Sequence, residues 1–445
     1  MKTPIYDFVK NYSDSTVARF HMPCHKGRGA LGCEKYDITE IGGADVLYHA
    51  DGIIAGSENN ASRLFGTAHS FYSTEGSTLA IKAMLFLALQ YAKERGKSNK
   101  ILAARNVHSA FINACALLDL EVDWIGAEQE HICKACVSAS EVREAFASAD
   151  ELPFALYLTS PDYLGNVVDV KNIAAACDEY GVLLLVDNAH GAYLAFSEES
   201  RHPMSLGAHM CADSAHKTLP VLTGGAYLHV SKKCARFTDN ARSALRLFAS
   251  TSPSYLTLAS LDLANASLAS DFGARIKEMA KKVDDLKSEL FAGGIRTVGD
   301  EPLKLTLDCH SIGYFGEEIA EILRERSIEC EFSDSRYVVL MISPEHTPDE
   351  LAALKKALIS IEKRAPLCVD TPAVSTNRKR VVSIREAVFS PHERVKSENA
   401  LGRICGAPAV SCPPAIPIAL SGELIDEEAV ALLKFYKIDT VEVLK

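Results

Sequence analysis

The sequence predicts an α/β protein whose larger part is a seven-stranded, mostly parallel sheet, with small α+β C-terminal domains. Two observations predict it. Between about residues 68 and 230, apolar runs of strand length alternate with helix-like segments. Beyond a long helical stretch from Tyr255 to Leu290, the pattern changes to short strands and helices spanning about 70 residues.

In order along the chain, the segment His21 to Gly27 lies in a stretch with Gly27, Gly29 and Gly32 and little apolar periodicity, so it joins the main sheet neither as strand nor as helix. Strands are expected at Ser70 to Ser73, Ile101 to Ala104, Val122 to Ile125, Phe154 to Thr159, Val182 to Val186, Cys211 to Ser214 and Ala226 to Val230. Leu79, Ala83, Leu87 and Tyr91 recur every four residues, which predicts a helix with one apolar face, starting after Gly76 and stopping at Gly96. Ser138 followed by Glu141 is a capping-box signal for a helix ending near Ala149. The smaller part is expected to hold strands at Leu303 to Leu307, Ile328 to Phe332 and Tyr337 to Ile342, with helices at Glu317 to Arg326 and Pro348 to Ile361. Ala365 to Arg380, with two prolines and a basic run, reads as a linker before a region holding Pro408, Pro413, Pro414 and Pro417.

Composition narrows the function classes. With 445 residues, 48% hydrophobic and 24% charged, the chain can bury a large core without staples. The net charge of −11 has the wrong sign for a protein held on nucleic-acid phosphates. No apolar run reaches the ~18 residues of a membrane span, and the start has no apolar core of a signal peptide, so a cytoplasmic location is expected. The thirteen cysteines are odd in number and scattered, and Cys115, Cys177 and Cys211 sit in apolar surroundings, so they are expected reduced and packed as small hydrophobes. His131, Cys133 and Cys136 form a Cys-x-x-Cys beside a histidine, but no second pair follows; a surface loop is expected there, and no metal.

Three strand ends carry chemistry. Ser73 to Thr78 lies between a strand and a helix, so Gly76 lets the backbone turn while amides and hydroxyls face an anion on the helix N-terminus. Asp187 ends a buried strand, where open parallel sheets bind ligands. Lys217, in Asp213-Ser214-Ala215-His216-Lys217, follows another strand end among small and apolar residues, where an amine can act as a nucleophile.

Taken together these resemble fold-type I pyridoxal phosphate enzymes, and further motifs narrow the resemblance. His21-Met22-Pro23-Cys24-His25-Lys26-Gly27 is similar to the HMPGHKG opening of the Orn/Lys/Arg decarboxylase family. So are Asp187 to Phe196, Asp213 to His229, Ser160 to Gly165, Thr251 to Tyr255, Pro413 to Pro417 and Gly422-Glu423, in the family's order from about residue 18 to 426. The resemblance implies pyridoxal 5'-phosphate, with Lys217 as its Schiff-base lysine, Asp187 on the ring nitrogen, and Gly76, Ser77, Thr78, Ser214 and His216 around the phosphate. It places Ala189 under the ring and His108 over it, and counts His190 among the cofactor-binding residues. It implies a homodimer or larger assembly in which His25, Lys26, Ser252 and Ser254 reach substrate or the neighbouring subunit, and leaves Tyr163, His190 and Lys217 as alternative proton donors. The implied division is 1–45 arm, 46–295 cofactor domain, 296–364 small domain, 365–380 linker and 381–445 C-terminal region, the family's short form. Cys24 stands where the family has glycine, and Ser109 where a lysine is common.

The expected activity is decarboxylation of arginine, lysine or ornithine toward polyamine synthesis, with a small-molecule amino acid, no nucleic acid and no membrane as partner. An aminotransferase, another lyase or a silent relative is the alternative, since fold does not set function. An aminotransferase needs a cation for the substrate carboxylate, and Arg326 and Arg336 are the candidates.

Overall fold

The computed structural model describes residues 1–126, 131–134, 136–370, 372, 374–375, 377–408 and 416–445. Seven strands, β1 (His69–Ser73), β2 (Lys100–Ala104), β3 (Glu121–Ile125), β4 (Ala155–Thr159), β5 (Leu183–Asp187), β6 (Met210–Asp213) and β7 (Ala226–Val230), form one sheet in the order β1-β7-β6-β5-β4-β2-β3. Each lies within a residue or two of its expected position. β5 pairs in parallel with β4 and β6, while β7 runs antiparallel to both β6 and β1. β1 therefore points the same way as β5 and β6, and the carboxyl ends of all three lie on one edge. β4, β5 and β6 are buried throughout, as suits runs that are apolar up to their last residues, Thr159, Asp187 and Asp213.

By internal contacts the chain divides into two compact units, residues 1–102, 142–160 and 169–273, and residues 103–141, 161–168 and 274–445. In the first, the helix Gly76–Glu94 does not have a single apolar face: Ile81, Met84, Leu85 and Leu89 are buried along with Leu79, Ala83 and Leu87. A helix covered on most sides tolerates apolar residues all round, so the i+4 series marked only part of the buried surface. The arm holds a helix that periodicity did not reveal, Pro4–Asp14, with Ile5 and Val9 buried. The Asp262 carboxylate accepts the first-turn amides of Ile5 and Tyr6 at 2.8 and 3.0 Å, which satisfies donors that a helix start leaves orphaned. The expected helical stretch 255–290 is two helices, Tyr255–Leu268 and Phe272–Ala292. The former is capped by Ser254, whose Oγ accepts the Thr257 amide at 3.3 Å.

In the second unit β8 (Arg296–Val298), β9 (Lys304–Asp308), β10 (Phe332–Ser333) and β11 (Tyr337–Met341) form an antiparallel sheet in the order β10-β11-β9-β8. β8 carries only a weak strand signal because its three residues are exposed or half-buried. The strand expected at Ile328 to Phe332 shrinks to the pair Phe332–Ser333. Helix Pro348–Ile359 starts at a reciprocal box, the Glu350 carboxylate accepting the Thr347 amide at 2.7 Å and Thr347 Oγ1 accepting the Glu350 amide at 3.3 Å. The capping box at Ser138 and Glu141 forms as expected, with bonds of 2.7 and 3.2 Å. β12 (His392–Lys396) pairs with β13 (Thr440–Leu444), and Ile416, Ile418, Leu432, Leu433 and Val443 pack in one apolar cluster with Ile132, Cys133 and Tyr337. In the stretch expected as a linker, Val374 and Arg378 are buried, and Arg378 donates to the Ile418 carbonyl at 2.7 Å. Pro413 and Pro414 lie outside the described residues.

His131 and Cys133 correct an expectation. They are not on a surface loop: both are buried, and His131 Nε2 lies 2.7 Å from Asp334 Oδ2. Cys136, by contrast, is exposed. Cys115, Cys177 and Cys211 are buried free thiols, and burial pushes Cys177 up to about 12. No helix among the described residues is long and apolar enough to cross a membrane.

Candidate active site

The site is built on the shared carboxyl edge of β1, β5 and β6. Asp187, the last residue of β5, is 1% exposed. Its Oδ1 accepts the Ala189 amide at 3.1 Å and its Oδ2 accepts the Tyr157 hydroxyl at 3.2 Å. Burial raises this carboxyl to about 6, opposed by the Lys217 charge and these two donors. A carboxylate so placed gains from a cation beside it.

The turn after β1 supplies the anion cradle. Gly76 has φ +72°, a left-handed conformation natural to glycine, and its amide donates to the Gly224 carbonyl at 2.8 Å. Gly224 is also at positive φ, +94°, and a Cβ there would sit 2.8 Å from the Thr74 carbonyl oxygen, so the loops close only with glycine. Ser77 and Thr78 are half-buried in the first turn of the helix, and Ser214 Oγ donates to Ser77 Oγ at 2.8 Å. A helix N-terminus lined with hydroxyls suits a phosphate.

Lys217 lies in the short helix Ala215–Thr218 that follows β6. Its Nζ is 3.1 Å from His190 Nε2, and His190 is buried. His216 Nδ1 donates to the Gly225 carbonyl at 3.0 Å, which turns the ring toward the glycine pair. Ala189 is buried beside Asp187. The first unit thus gathers Gly76, Ser77, Thr78, Asp187, Ala189, His190, Ser214, His216 and Lys217.

The remaining candidates lie on other elements. His25 faces Asp37 at 3.2 Å within the arm, and Lys26 donates to the His21 carbonyl. Cys24 is exposed. Ser254 serves as a helix cap and Ser252 is exposed. His108 and Tyr163 belong to the second unit: His108 caps helix Ser109–Leu118 by accepting the Ala110 amide at 3.1 Å, and the Tyr163 hydroxyl donates to Glu331 at 2.9 Å. Sequence reasoning missed Tyr157, which has no signal beyond an aromatic in an apolar strand, and the histidines that surround Asp213. It also passed over Arg105, which lies three residues before His108.

The donor set fits pyridoxal phosphate. It offers a buried carboxylate for a ring nitrogen, an amine beside an imidazole, and a hydroxyl-lined helix start for the phosphate. Among the described residues, the buried Thr218 Oγ1, next to Lys217, has no hydrogen-bond partner. These features on one edge of a mostly parallel seven-stranded sheet define a fold-type I pyridoxal phosphate enzyme.

Within that class the chain belongs to the Orn/Lys/Arg decarboxylase family, whose major domain matches residues 3–296. It is 29% identical to an arginine decarboxylase of Halalkalibacterium halodurans over 97% of this chain and 93% of that one. An arginine decarboxylase of Bacillus subtilis is 28% identical over the same shares, and the protein YaaO of that bacterium is 29% identical over 97% of this chain and 94% of its own. In structure the chain is similar to the lysine decarboxylase LdcF of Francisella novicida, with TM-score 0.80 and 16% identity over 100% of this chain and 81% of that one. The constitutive lysine decarboxylase of E. coli follows with TM-score 0.78 and 16% identity over 100% and 82%.

Proposed function

We propose that the protein decarboxylates a basic amino acid, arginine, lysine or ornithine, to the corresponding polyamine or polyamine precursor. The observation that carries this reading is the Lys217–His190 pair on the same sheet edge as the buried Asp187, in a chain that aligns almost end to end with arginine decarboxylases. When bound, pyridoxal phosphate supplies an electron sink for the pair released as CO2 leaves.

The chain's own residues do the rest. Lys217 would hold the cofactor through its amine, which His190 adjoins. Asp187, as a buried carboxylate, would accept the ring N–H and so keep that nitrogen protonated. Gly76, Ser77, Thr78, Ser214 and His216 would hold the phosphate, and Ala189 would line the ring. His190 Nε2, 3.1 Å from Lys217 Nζ, can pass a proton to or from that amine. This favours the Lys217–His190 pair over Tyr163, whose hydroxyl proton goes to Glu331.

The aminotransferase reading has less support. Arg336 pairs with Asp308 at 3.1 Å, and Arg326 donates to Ser360 Oγ at 2.9 Å and to the Ala357 carbonyl, so both guanidiniums are engaged inside the small sheet unit. The proposal extends to a cytoplasmic homodimer whose arms cross the interface. In its support, Phe20 is 96% exposed, with Met22 and Leu31 also exposed on the arm, apolar surface that a second copy would cover. Product analysis after incubating the protein and cofactor with each of the three amino acids tests the activity. Release of CO2 and one diamine or agmatine is expected; keto-acid formation from all three would overturn it.

A further inference from the structure

Asp213 ends β6, one residue before Ser214 and four before Lys217, and its carboxylate is fully buried. Four side chains converge on it. Oδ2 accepts His202 Nε2 at 2.8 Å and His229 Nε2 at 3.1 Å, while Oδ1 accepts Asn188 Nδ2 at 2.8 Å and the Cys211 thiol at 3.3 Å. The network runs on: His229 Nδ1 meets Ser70 Oγ at 2.8 Å, and the Met204 amide donates to His202 Nδ1 at 3.2 Å, which leaves the proton on His202 Nε2. Burial would raise the Asp213 carboxyl, but the two imidazoles and their hydrogen bonds hold it well below the usual range.

Nothing in the chemistry assigned above uses this anion. Its position suggests what it does. Asn188 follows Asp187 directly, and its backbone amide is already tied to β6 through the Ala212 carbonyl at 2.9 Å. The bond to Asp213 adds a side-chain tie, so the turn carrying Asp187, Ala189 and His190 is held at two points to the strand that leads into Ser214 and Lys217. The Gly191 amide closes the same turn on the Asn188 carbonyl at 2.8 Å. Buried hydrogen-bonded networks of this kind restrict the arrangements open to their members, and a reacting constellation needs such support from residues behind it.

We propose that Asp213 is a positioning residue that, through Asn188, holds the Asp187–His190 turn in register with Ser214 and Lys217, and so sets cofactor affinity and turnover. This rests on the cofactor placement proposed above. Two variants test it, Asn188→Ala, which cuts the tie and leaves Asp213 with its histidines, and Asp213→Asn, which removes the charge. In the apoprotein, amide hydrogen exchange at residues 188–191 is expected to quicken in Asn188→Ala while the midpoint of thermal unfolding stays near that of the parent. In the holoenzyme, pyridoxal phosphate is expected to bind about tenfold more weakly, the scale of a lost hydrogen bond to a charged group, with kcat reduced, KM little changed and the visible absorption maximum displaced. The double variant should bind the cofactor no more weakly than the worse single one, because both act through one tie. Unchanged exchange and unchanged cofactor affinity in Asn188→Ala would overturn the proposal, whether or not Asp213→Asn folds. So would additive losses in the double variant, or an Asp213→Asn protein that loses only thermal stability. Failure of the parent protein to take up pyridoxal phosphate at all would instead overturn the cofactor placement, and the exchange data would still report on the tie.

Discussion

Arg105 and Glu423, 318 residues apart, meet as a bidentate ion pair, with Arg105 Nη1 and Nη2 each 2.6 Å from a carboxylate oxygen and both side chains buried. The Arg105 guanidinium also lies 5.3 Å from the centre of the Trp124 ring, and Glu423 Oε2 accepts the Leu420 amide at 2.9 Å. Removing one partner of such a pair strands the other charge away from water, at a cost of about 3 to 5 kcal/mol. Glu423→Gln and Arg105→Met are each expected to lower the urea midpoint markedly, and the double variant Arg105→Met with Glu423→Leu should recover part of the loss. Urea unfolding followed by circular dichroism checks it; a double variant less stable than either single one would count against the pair.

Asp187 makes the apoprotein's stability depend on pH. The folded carboxyl titrates at about 6, above the unfolded value near ~3.9. Below about pH 4 both states hold the proton, and between about 4 and 6 only the folded state does, so stability falls as pH rises through that window. The contribution is at most about 3 kcal/mol. Asp187→Asn removes it, so apoprotein of the variant should gain on the parent between pH 4.5 and 7 by urea denaturation. Parallel pH profiles would contradict the raised proton affinity. In the holoenzyme the same variant should lose kcat more than cofactor affinity, since an amide cannot keep the ring proton in place.

The strands of the large sheet were legible because each is a short apolar run between turn signals, and Asp187 and Lys217 because each sits at the end of such a run. Other features carried no local signal. Helix Pro4–Asp14 buries only Ile5 and Val9, too few for a period to show. His131 and Cys133 read as loop residues because what buries them, Asp334 and the cluster around Tyr337 and Leu432, lies some two to three hundred residues later. The same holds for the four groups around Asp213, contributed by residues 188, 202, 211 and 229, and for the interleaving of two compact units along one chain.

Lys217 is expected to be the attachment point of the cofactor. Lys217→Ala should remove the adduct that borohydride fixes, and mass spectrometry of a digest should find no modified peptide covering residues 215–219. His190→Gln is expected to keep the adduct and to slow turnover, because it removes the imidazole 3.1 Å from the amine and leaves the amine itself. A fixed adduct at any other lysine in Lys217→Ala protein would refute the assignment.

The arm is itself folded, with Ile5 and Val9 of helix Pro4–Asp14 buried. Deleting residues 1 to 30 would take away helix Pro4–Asp14, whose Ile5 and Tyr6 amides satisfy the buried Asp262 carboxylate, and Ser57 Oγ, also bonded to Asp262, would be left beside a carboxylate stripped of two donors. Loss of assembly in that deletion could then reflect local unfolding. Phe20→Ser with Leu31→Ser leaves the helix intact and alters only side chains that are almost wholly exposed in a single chain, where such a change costs little stability. If a second copy covers them, the double variant should shift toward monomer in sedimentation equilibrium and lose cofactor on dilution, with an unaltered thermal midpoint for the monomer. A variant that sediments as the parent does, with full cofactor occupancy and activity, would show that the arm's apolar surface takes no part in assembly.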